Sequence, residues 1–500
     1  MKLSRLALAM AALSLPLAAQ ANQSLVAPGY SSTFGSATTH GSVHSSSNPA
    51  ANGLLIGEGE KIRFGYMSNL GFYLEMGDAS DFDEVIDGLE DDLKRAENEN
   101  ASGVEEIAKK ANQEYLPALE QGGTLSMGVQ GQVPLTPFLI NSNLAKGTFN
   151  VNASVTGQSR VNVLTGPFTV RTTFSDTDGE LELDLTNAVG AYEEFKGYGD
   201  PSQQDIEDLL NKYELNTQAN KEFIEKNNGQ NFDNPDSTLY TDTGIDIRAA
   251  VTAQLALGYG TNLNQWFDLA PGWGEFEAGV ALNLYQVQAG RNFISLYAES
   301  DDDAEGSASD DFFDDMMSNT ETTTAVGMDL GLLWHKENYQ LGATLYNVNE
   351  PEINYPDMSE YLEGDTLEAL QRLESRGKTS VEDNVALTRH TVLEGGWFSA
   401  NRNWAIHAYG TLGTATNAVG EEYQNVGITA AYTARSLWLP GIRAGYHMNL
   451  AGTELSRVNV GTTFFGILNA DIAVSPETNS FDGTEMPRYF AINLGLEEKF

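Results

Sequence analysis

The sequence contains no cysteine in 500 residues. This absence excludes disulfide bonds, thiolate metal sites and thiol chemistry. After the N-terminal region, no stretch supplies the roughly 18 consecutive apolar residues that a membrane-spanning helix needs. Basic residues are also few, with 28 Lys and Arg against 70 Asp and Glu and a formal net charge of −42. Because phosphate binding requires clustered Lys and Arg, this deficit argues against nucleic acid as a direct ligand.

The N-terminus has the features of a secretory signal peptide. Lys2 and Arg5 precede an apolar run over residues 6–17, and residues 19–21 form an A-x-A cleavage sequence. The pattern predicts a signal peptide over residues 1–21 and therefore export from the cytoplasm.

The last stretch of the chain, residues 487–500, alternates between apolar and small or polar side chains. Its apolar positions are Phe490, Ile492, Leu494, Leu496 and Phe500. A period of two with one apolar face predicts a half-buried strand. A C-terminal strand ending in Phe is typical of bacterial outer-membrane barrels, in which it pairs with the first strand. We expect it to serve as the barrel-closure signal and as the contact with the barrel-assembly machinery. The alternative is the terminal strand of a soluble sandwich.

The same alternation recurs along most of the chain after residue 243. In residues 245–259 and 442–450, large apolar residues occupy one face, and Arg, His, Asn or Gln occur on the other. Connections between these strands alternate between short and long, as in outer-membrane barrels. The sequence therefore predicts an all-β fold, a transmembrane antiparallel β-barrel of about 14 strands. Such a protein lies in outer-membrane lipid of a Gram-negative bacterium.

Three segments with helical spacing interrupt the strands. They fall near residues 81–121, with a break near Gly103, and near residues 201–226 and 359–375. All three belong to the long connections, which places them outside the cell. Their apolar stripes require burial. Either they pack together as a cap over the barrel mouth, or they form a surface for another protein.

The predicted domains are the signal peptide, an N-terminal segment over residues 22–60 and the barrel over residues 61–500. The N-terminal segment is rich in Ser, Gly, Ala and Asn and shows no periodicity. It is either a plug inside the barrel or a disordered leader.

Four side chains fall on the polar faces of the predicted strands and are candidates for lining the lumen: Arg248, His407, Arg443 and His447. His407 or His447 could act as a catalytic base, but nucleophilic catalysis also needs a Ser and an orienting acid, and no pattern marks them. We therefore expect no enzymatic activity and no catalytic residues.

An acidic run over residues 299–315 contains no basic residue. Its candidate metal ligands are Asp301, Asp302, Asp303, Asp310 and Asp311. Closely spaced carboxylates bind hard divalent cations such as Ca²⁺ through oxygen, although the spacing does not match an EF-hand. The alternative is a solvated flexible loop. We expect no other cofactor.

Several stretches carry a family resemblance. They are Asn48-Pro49-Ala50, the segments 326–334 and 346–351, and Pro440-Gly-Ile-Arg-Ala-Gly-Tyr446. Together they resemble conjugal transfer TraF-like outer-membrane barrels and, more distantly, FadL-type channels for hydrophobic compounds. The resemblance implies that Asn48, Pro49 and Ala50 are plug or hatch residues. It also implies a passive channel for hydrophobic small molecules. The alternative is a cell-surface interaction protein, acting in conjugation or adhesion without a transport role.

Overall fold

The structure is a computed structural model. It describes residues 30–31, 35–36, 48–56, 60–65, 67–79, 82–96, 101–176, 179–184, 202–212, 236–267, 272–296, 319–433, 438–465, 467–481 and 484–496. Within these ranges, no helix has both the length and the apolar character needed to cross a membrane.

Fourteen antiparallel strands form one closed sheet. In chain order they are β1 Met67–Met76, β2 Thr124–Gln132, β3 Gly147–Leu164, β4 Gly244–Asn262, β5 Glu275–Ser295, β6 Thr320–Lys336, β7 Tyr339–Tyr346, β8 His390–Phe398, β9 Trp404–Leu412, β10 Asn425–Tyr432, β11 Gly441–Asn449, β12 Ser456–Phe464, β13 Leu468–Val474 and β14 Tyr489–Leu496. Short strands Ile62–Phe64 and Phe138–Ser142 extend the sheet beside β3. The predicted 14-stranded antiparallel barrel is confirmed.

Closure occurs where the last strand meets the first. Ile492 of β14 lies opposite Phe72 of β1, and the other edge of β14 pairs with β13. Each strand therefore has two neighbours and no edge is left unpaired, which lipid requires because it offers no hydrogen bonds to the backbone. Ile492 and Leu494 are about two-fifths exposed on the outer face. Phe500 lies outside the described residues.

The two faces of the barrel wall differ in polarity. Apolar side chains such as Leu282, Ile428 and Val460 are exposed on the outside. Residues of opposite parity point inward and are largely polar and buried, including Gln254, Asn283 and Asn459. Because alternate side chains of a strand point to opposite faces, this pattern produces an apolar outer wall and a polar interior.

Connections are mostly short at one end of the barrel, the turn end, and mostly long at the other, the loop end. The loop end carries α1 Phe82–Ala96, α2 Ala101–Lys110, α3 Leu116–Gly122, α4 Gln203–Lys212 and α5 Gly364–Ser375. One turn of π-helix, Ala111–Tyr115, joins α2 to α3. Apolar residues of α2 and α3, including Ile107 and Leu119, pack against the ends of β3 and β4. The apolar faces of these helices are thus buried within the chain.

The predicted helical segments have the following limits in the structure. In the first segment, for which a break near Gly103 is predicted, α1 ends at Ala96 and α2 begins at Ala101, so that Gly103 lies in the first turn of α2. Helix α4 ends at Lys212, and residues 213–226 of the predicted second helix lie outside the described part of the chain. In the third segment, a turn of 3₁₀-helix, Met358–Glu360, precedes α5.

Candidate functional site

Residues 48–56, the luminal segment, lie inside the barrel. They form one stretch of 3₁₀-helix, Pro49–Leu55, capped by Asn48, whose Oδ1 accepts a hydrogen bond from the backbone N–H of Ala50. Asn48 also contacts the wall two strands beyond β6, where its Nδ2 donates to Oε1 of Glu394 on β8 at 3.0 Å. Because Asn48, Pro49 and Ala50 are all buried, the segment is enclosed by the wall.

Three glycines on neighbouring strands make room for the luminal segment. Gly260, Gly279 and Gly331 lie directly opposite one another on β4, β5 and β6. A Cβ atom at Gly279 would come within 2.2 Å of the Pro49 carbonyl carbon, and one at Gly260 within 2.6 Å of the Pro49 oxygen. Any side chain at these positions would therefore overlap the segment. We call the three residues the glycine cradle.

Paired polar side chains occupy the interior beyond the luminal segment. His407 lies 3.6 Å from Glu394, the residue that accepts the hydrogen bond from Asn48. Arg443 forms an ion pair with Asp471, and Nδ1 of His447 lies 2.8 Å from the Tyr409 hydroxyl. Burying charged groups is costly unless they are paired, and the Arg443–Asp471 pair meets that requirement. These side chains occupy part of the barrel interior.

A cavity of about 960 Å³ lies at the loop end of the barrel. Its described lining includes four basic side chains, Arg160, Arg248, Lys378 and Arg488. Acidic side chains also line it, and they are Asp78, Glu120, Asp246, Asp383, Glu421, Glu422 and Glu454. The cavity is therefore charged with both signs and suits a ligand with at least one polar group.

Residues 347–389, the latch loop, cover this cavity and are held to the wall by a buried ion network. Arg291 of β5 is fully buried and donates from Nε to Oδ1 of Asp246 at 2.7 Å. The same guanidinium donates to the Ser380 carbonyl and the Thr379 hydroxyl of the loop, each at 2.6 Å. Arg248 pairs with Asp383 of the loop at 2.6 Å.

Helix α5 adds a second attachment of the latch loop. Arg372 and Arg376 both pair with Asp242, at 2.6 and 2.5 Å. The apolar side of the helix, Ala369, Leu370 and Leu373, packs on Leu164 and Phe293 at the ends of β3 and β5. Ion pairs and apolar contacts therefore hold the loop over the barrel mouth.

The structure divides the sequence-predicted residues into three groups. Asn48, Pro49 and Ala50 meet the glycine cradle, and His407, Arg443 and His447 lie in the buried interior. Arg248 lies apart from these, in the loop-end cavity. The candidate calcium ligands Asp301, Asp302, Asp303, Asp310 and Asp311 lie outside the described residues.

Sequence reasoning missed the glycine cradle and Arg291. Arg291 lies directly opposite Arg248 across the β4–β5 pair. Two like charges in this register need an acid between them, and Asp246 pairs with both. The charges were visible in the sequence, but their meeting depends on strand register.

A closed antiparallel barrel with an apolar outer wall, a polar interior and an enclosed N-terminal segment defines a transmembrane β-barrel of the outer-membrane type. The family model described as "F plasmid transfer operon, TraF, protein" matches residues 46–409. The chain belongs to this family. No curated protein matches the sequence.

Among solved structures, the Pseudomonas putida toluene transporter TodX is 11% identical, with 96% of this chain and 100% of that chain covered and a TM-score of 0.33. The Ralstonia pickettii toluene transporter TbuX is 8% identical, with coverage of 91% and 92% and a TM-score of 0.35. A Pseudomonas aeruginosa FadL homologue is 10% identical, with coverage of 96% and 100% and a TM-score of 0.33. Sequence identities and TM-scores this low do not indicate what this chain binds.

Proposed function

We propose that this protein is a passive outer-membrane channel for small hydrophobic molecules that carry a polar group. The observation that supports this most directly is the charged cavity of about 960 Å³ beneath the latch loop. Its volume is near the upper end of the range of small-molecule sites, about 300–1,000 Å³. Arg248 and its neighbours would hold the polar group, while the apolar part would supply the driving force through partition and a concentration gradient.

In this proposal the channel is closed at two points. The latch loop closes the loop end, which faces the outside of the cell. The luminal segment acts as a plug nearer the turn end, which faces the periplasm. The Asn48–Glu394 hydrogen bond and the glycine cradle keep the plug in place. Export would follow the signal peptide, and the barrel-assembly machinery would recognise the C-terminal strand.

Swelling of proteoliposomes tests the proposal. The probe is p-toluenesulfonate, an apolar ring with a permanent charge, and glucose serves as a purely polar comparison. We expect swelling in the sulfonate and little in glucose. In Gly279→Ala the added methyl group would overlap Pro49, and this variant should swell faster in the sulfonate. Gly157→Ala is the matched control, because a Cβ there meets nothing within 4 Å. Equal rates for both solutes, or no swelling with Gly279→Ala, would contradict the channel.

A surface-interaction role is the second candidate, and membership in a family named for plasmid transfer favours it. Here the barrel is a closed scaffold whose loops contact other cells. Deletion of residues 297–318 would then reduce mating or adhesion of whole cells without affecting swelling. Native mass spectrometry of the purified barrel provides an independent comparison. A co-purified amphiphile lost on deletion of residues 22–60 supports the channel, and an empty barrel in both forms supports the interaction role.

A further inference from the structure

Three potential metal ligands meet on the inner face of the barrel at its turn end. Glu275 begins β5 and lies directly opposite His335 of β6. Glu277 follows two residues later and therefore points to the same face. Nε2 of His335 lies 3.7 Å from Oε2 of Glu275 and 3.7 Å from Oε1 of Glu277. All three ligand atoms lie within 4.8 Å of one another.

These distances are close to those of a metal site. Zn²⁺ binds imidazole nitrogen and carboxylate oxygen at about 2.0–2.2 Å, so ligand atoms around one tetrahedral ion are roughly 3.3 Å apart. A shift of a few tenths of an ångström would bring Nε2 of His335 to this distance from each carboxylate oxygen. Glu275 is more than half exposed and free to make such an adjustment, whereas Glu277 is buried and fixed.

Neighbouring groups orient the cluster. Nδ2 of Asn262 donates to the same two carboxylate oxygens, each at 2.8 Å, and so directs them toward one point. Such outer hydrogen bonds commonly position metal ligands. In the part of the chain that the structure describes, Nε2 of His335 is buried and makes no hydrogen bond. An imidazole nitrogen is a common ligand of transition metals, and among the described residues no hydrogen bond competes for this one.

The cluster also has an access route. His335 lines a cavity of about 330 Å³ that it shares with Ala51, Leu54 and Leu55 of the luminal segment. A Cβ atom at Gly53 would lie 3.7 Å from the second oxygen of Glu277. An ion bound here would therefore sit beside the luminal segment.

We infer that Glu275, Glu277 and His335 form a binding site for a divalent cation of the zinc class. The mixed nitrogen and oxygen ligands favour Zn²⁺ over Ca²⁺ and Mg²⁺, which take oxygen ligands. Three protein ligands leave one position for water. The site is separate from the loop-end cavity and does not depend on the proposed transport.

The test is calorimetric titration of Zn²⁺ into the full-length protein in detergent, after removal of metals by a chelator. Co²⁺ is titrated in parallel, because its visible absorption reports the coordination geometry. We expect one Zn²⁺ per chain. Glu275→Gln and His335→Ala should each weaken binding at least about tenfold, since loss of even outer-shell partners costs 10–100-fold. Glu275 is exposed, so its variant is not expected to disturb folding.

Glu352→Gln, an exposed carboxylate at the start of a short loop-end strand, is the control for loss of one negative charge. Its affinity for Zn²⁺ should equal that of the unaltered chain. The inference is overturned by three results. They are the absence of Zn²⁺ binding, unchanged binding in either ligand variant, or binding that is lost instead when residues 297–318 are deleted. The last result would assign the cation to the acidic loop.

Discussion

Gly279 lies directly opposite Gly331 in the antiparallel register of β5 and β6, and both glycines face the luminal segment. A Cβ atom at Gly331 would lie 2.3 Å from Oδ1 of Asn48, and one at Gly279 would lie 2.2 Å from the Pro49 carbonyl carbon. The wall and the segment are therefore complementary in shape at this point. At Gly279 the backbone of the wall meets the backbone of the segment, and at Gly331 it meets the Asn48 side chain.

The first prediction concerns this fit. Gly279→Ala should displace the luminal segment, because the obstructing atoms are backbone and cannot rotate away. We expect faster hydrogen exchange of residues 48–56, measured by mass spectrometry, while the barrel strands keep their protection. Gly157→Ala should leave the exchange of the segment unchanged. Equal exchange in both variants would mean that the cradle does not hold the segment.

The second prediction concerns the buried pair Arg291–Asp246. Asp246→Asn removes the charge opposite a fully buried guanidinium, and breaking such a pair costs about 3–5 kcal/mol. A lower unfolding temperature in detergent should show this loss. Glu368→Gln breaks the exposed pair with Arg372, which is worth at most about 1 kcal/mol, and serves as the control. Similar effects from the two substitutions would contradict the buried network.

The third prediction concerns pH. Burial alone would raise the pKa of Asp92, but hydrogen bonds from Lys110 and Tyr115 outweigh it and hold the pKa below its ordinary value of 3.8. A depressed carboxylate pKa stabilises the fold above the unfolded pKa, about 3.9, and this stability is lost as pH falls through the folded value. The protection of α1 and α2 against hydrogen exchange, corrected for the intrinsic pH dependence of exchange, should therefore fall below about pH 4.

Asp92→Asn provides the control for the pH effect. The variant lacks the titrating group, so its helices should be less protected at neutral pH and should change little on acidification. If acid reduces the protection of the helices equally in the unaltered protein and in the variant, a group other than Asp92 causes the pH dependence.

The fourth prediction concerns salt and the latch loop. Arg372 and Arg376 are about one-third exposed, so their pairs with Asp242 are open to screening. Ionic strength near 1 M shortens the screening length to about 3 Å and should speed hydrogen exchange of α5. The effect should be partial, because Leu370 and Leu373 remain packed. Asp242→Asn should remove the salt dependence, and a persistent dependence would assign it to other charges.

Alternation of side chains was sufficient to predict the barrel and its strand number. The reason is that lipid on one side and packed polar groups on the other constrain every second residue, as in the segment 442–450. Register was not predictable in the same way. Which residues lie opposite each other depends on the offset between neighbouring strands. The cross-strand pairs concerned are Gly260 with Gly279, Arg248 with Arg291, and Glu275 with His335. A shift of one residue turns each side chain to the other face.

The helices illustrate a second limit. Glycine is a poor helix former, so Gly103 indicated the region of a break but not its position, since α2 already begins at Ala101. Similarly, the sequence placed Arg248 with the other lumen-lining candidates. The structure shows that it also binds the latch loop through Asp383, a contact between residues 135 positions apart that no local pattern reports.

The position of the luminal segment has a consequence for the order of assembly. Residues 48–56 precede β1 in the chain, yet they contact β4, β5 and β6. The wall closes only when β14 reaches β1, and this contact joins distant parts of the chain. The segment can make all of these contacts only once β4, β5 and β6 lie side by side. The part of the chain that precedes β1 is therefore held by strands that follow β3.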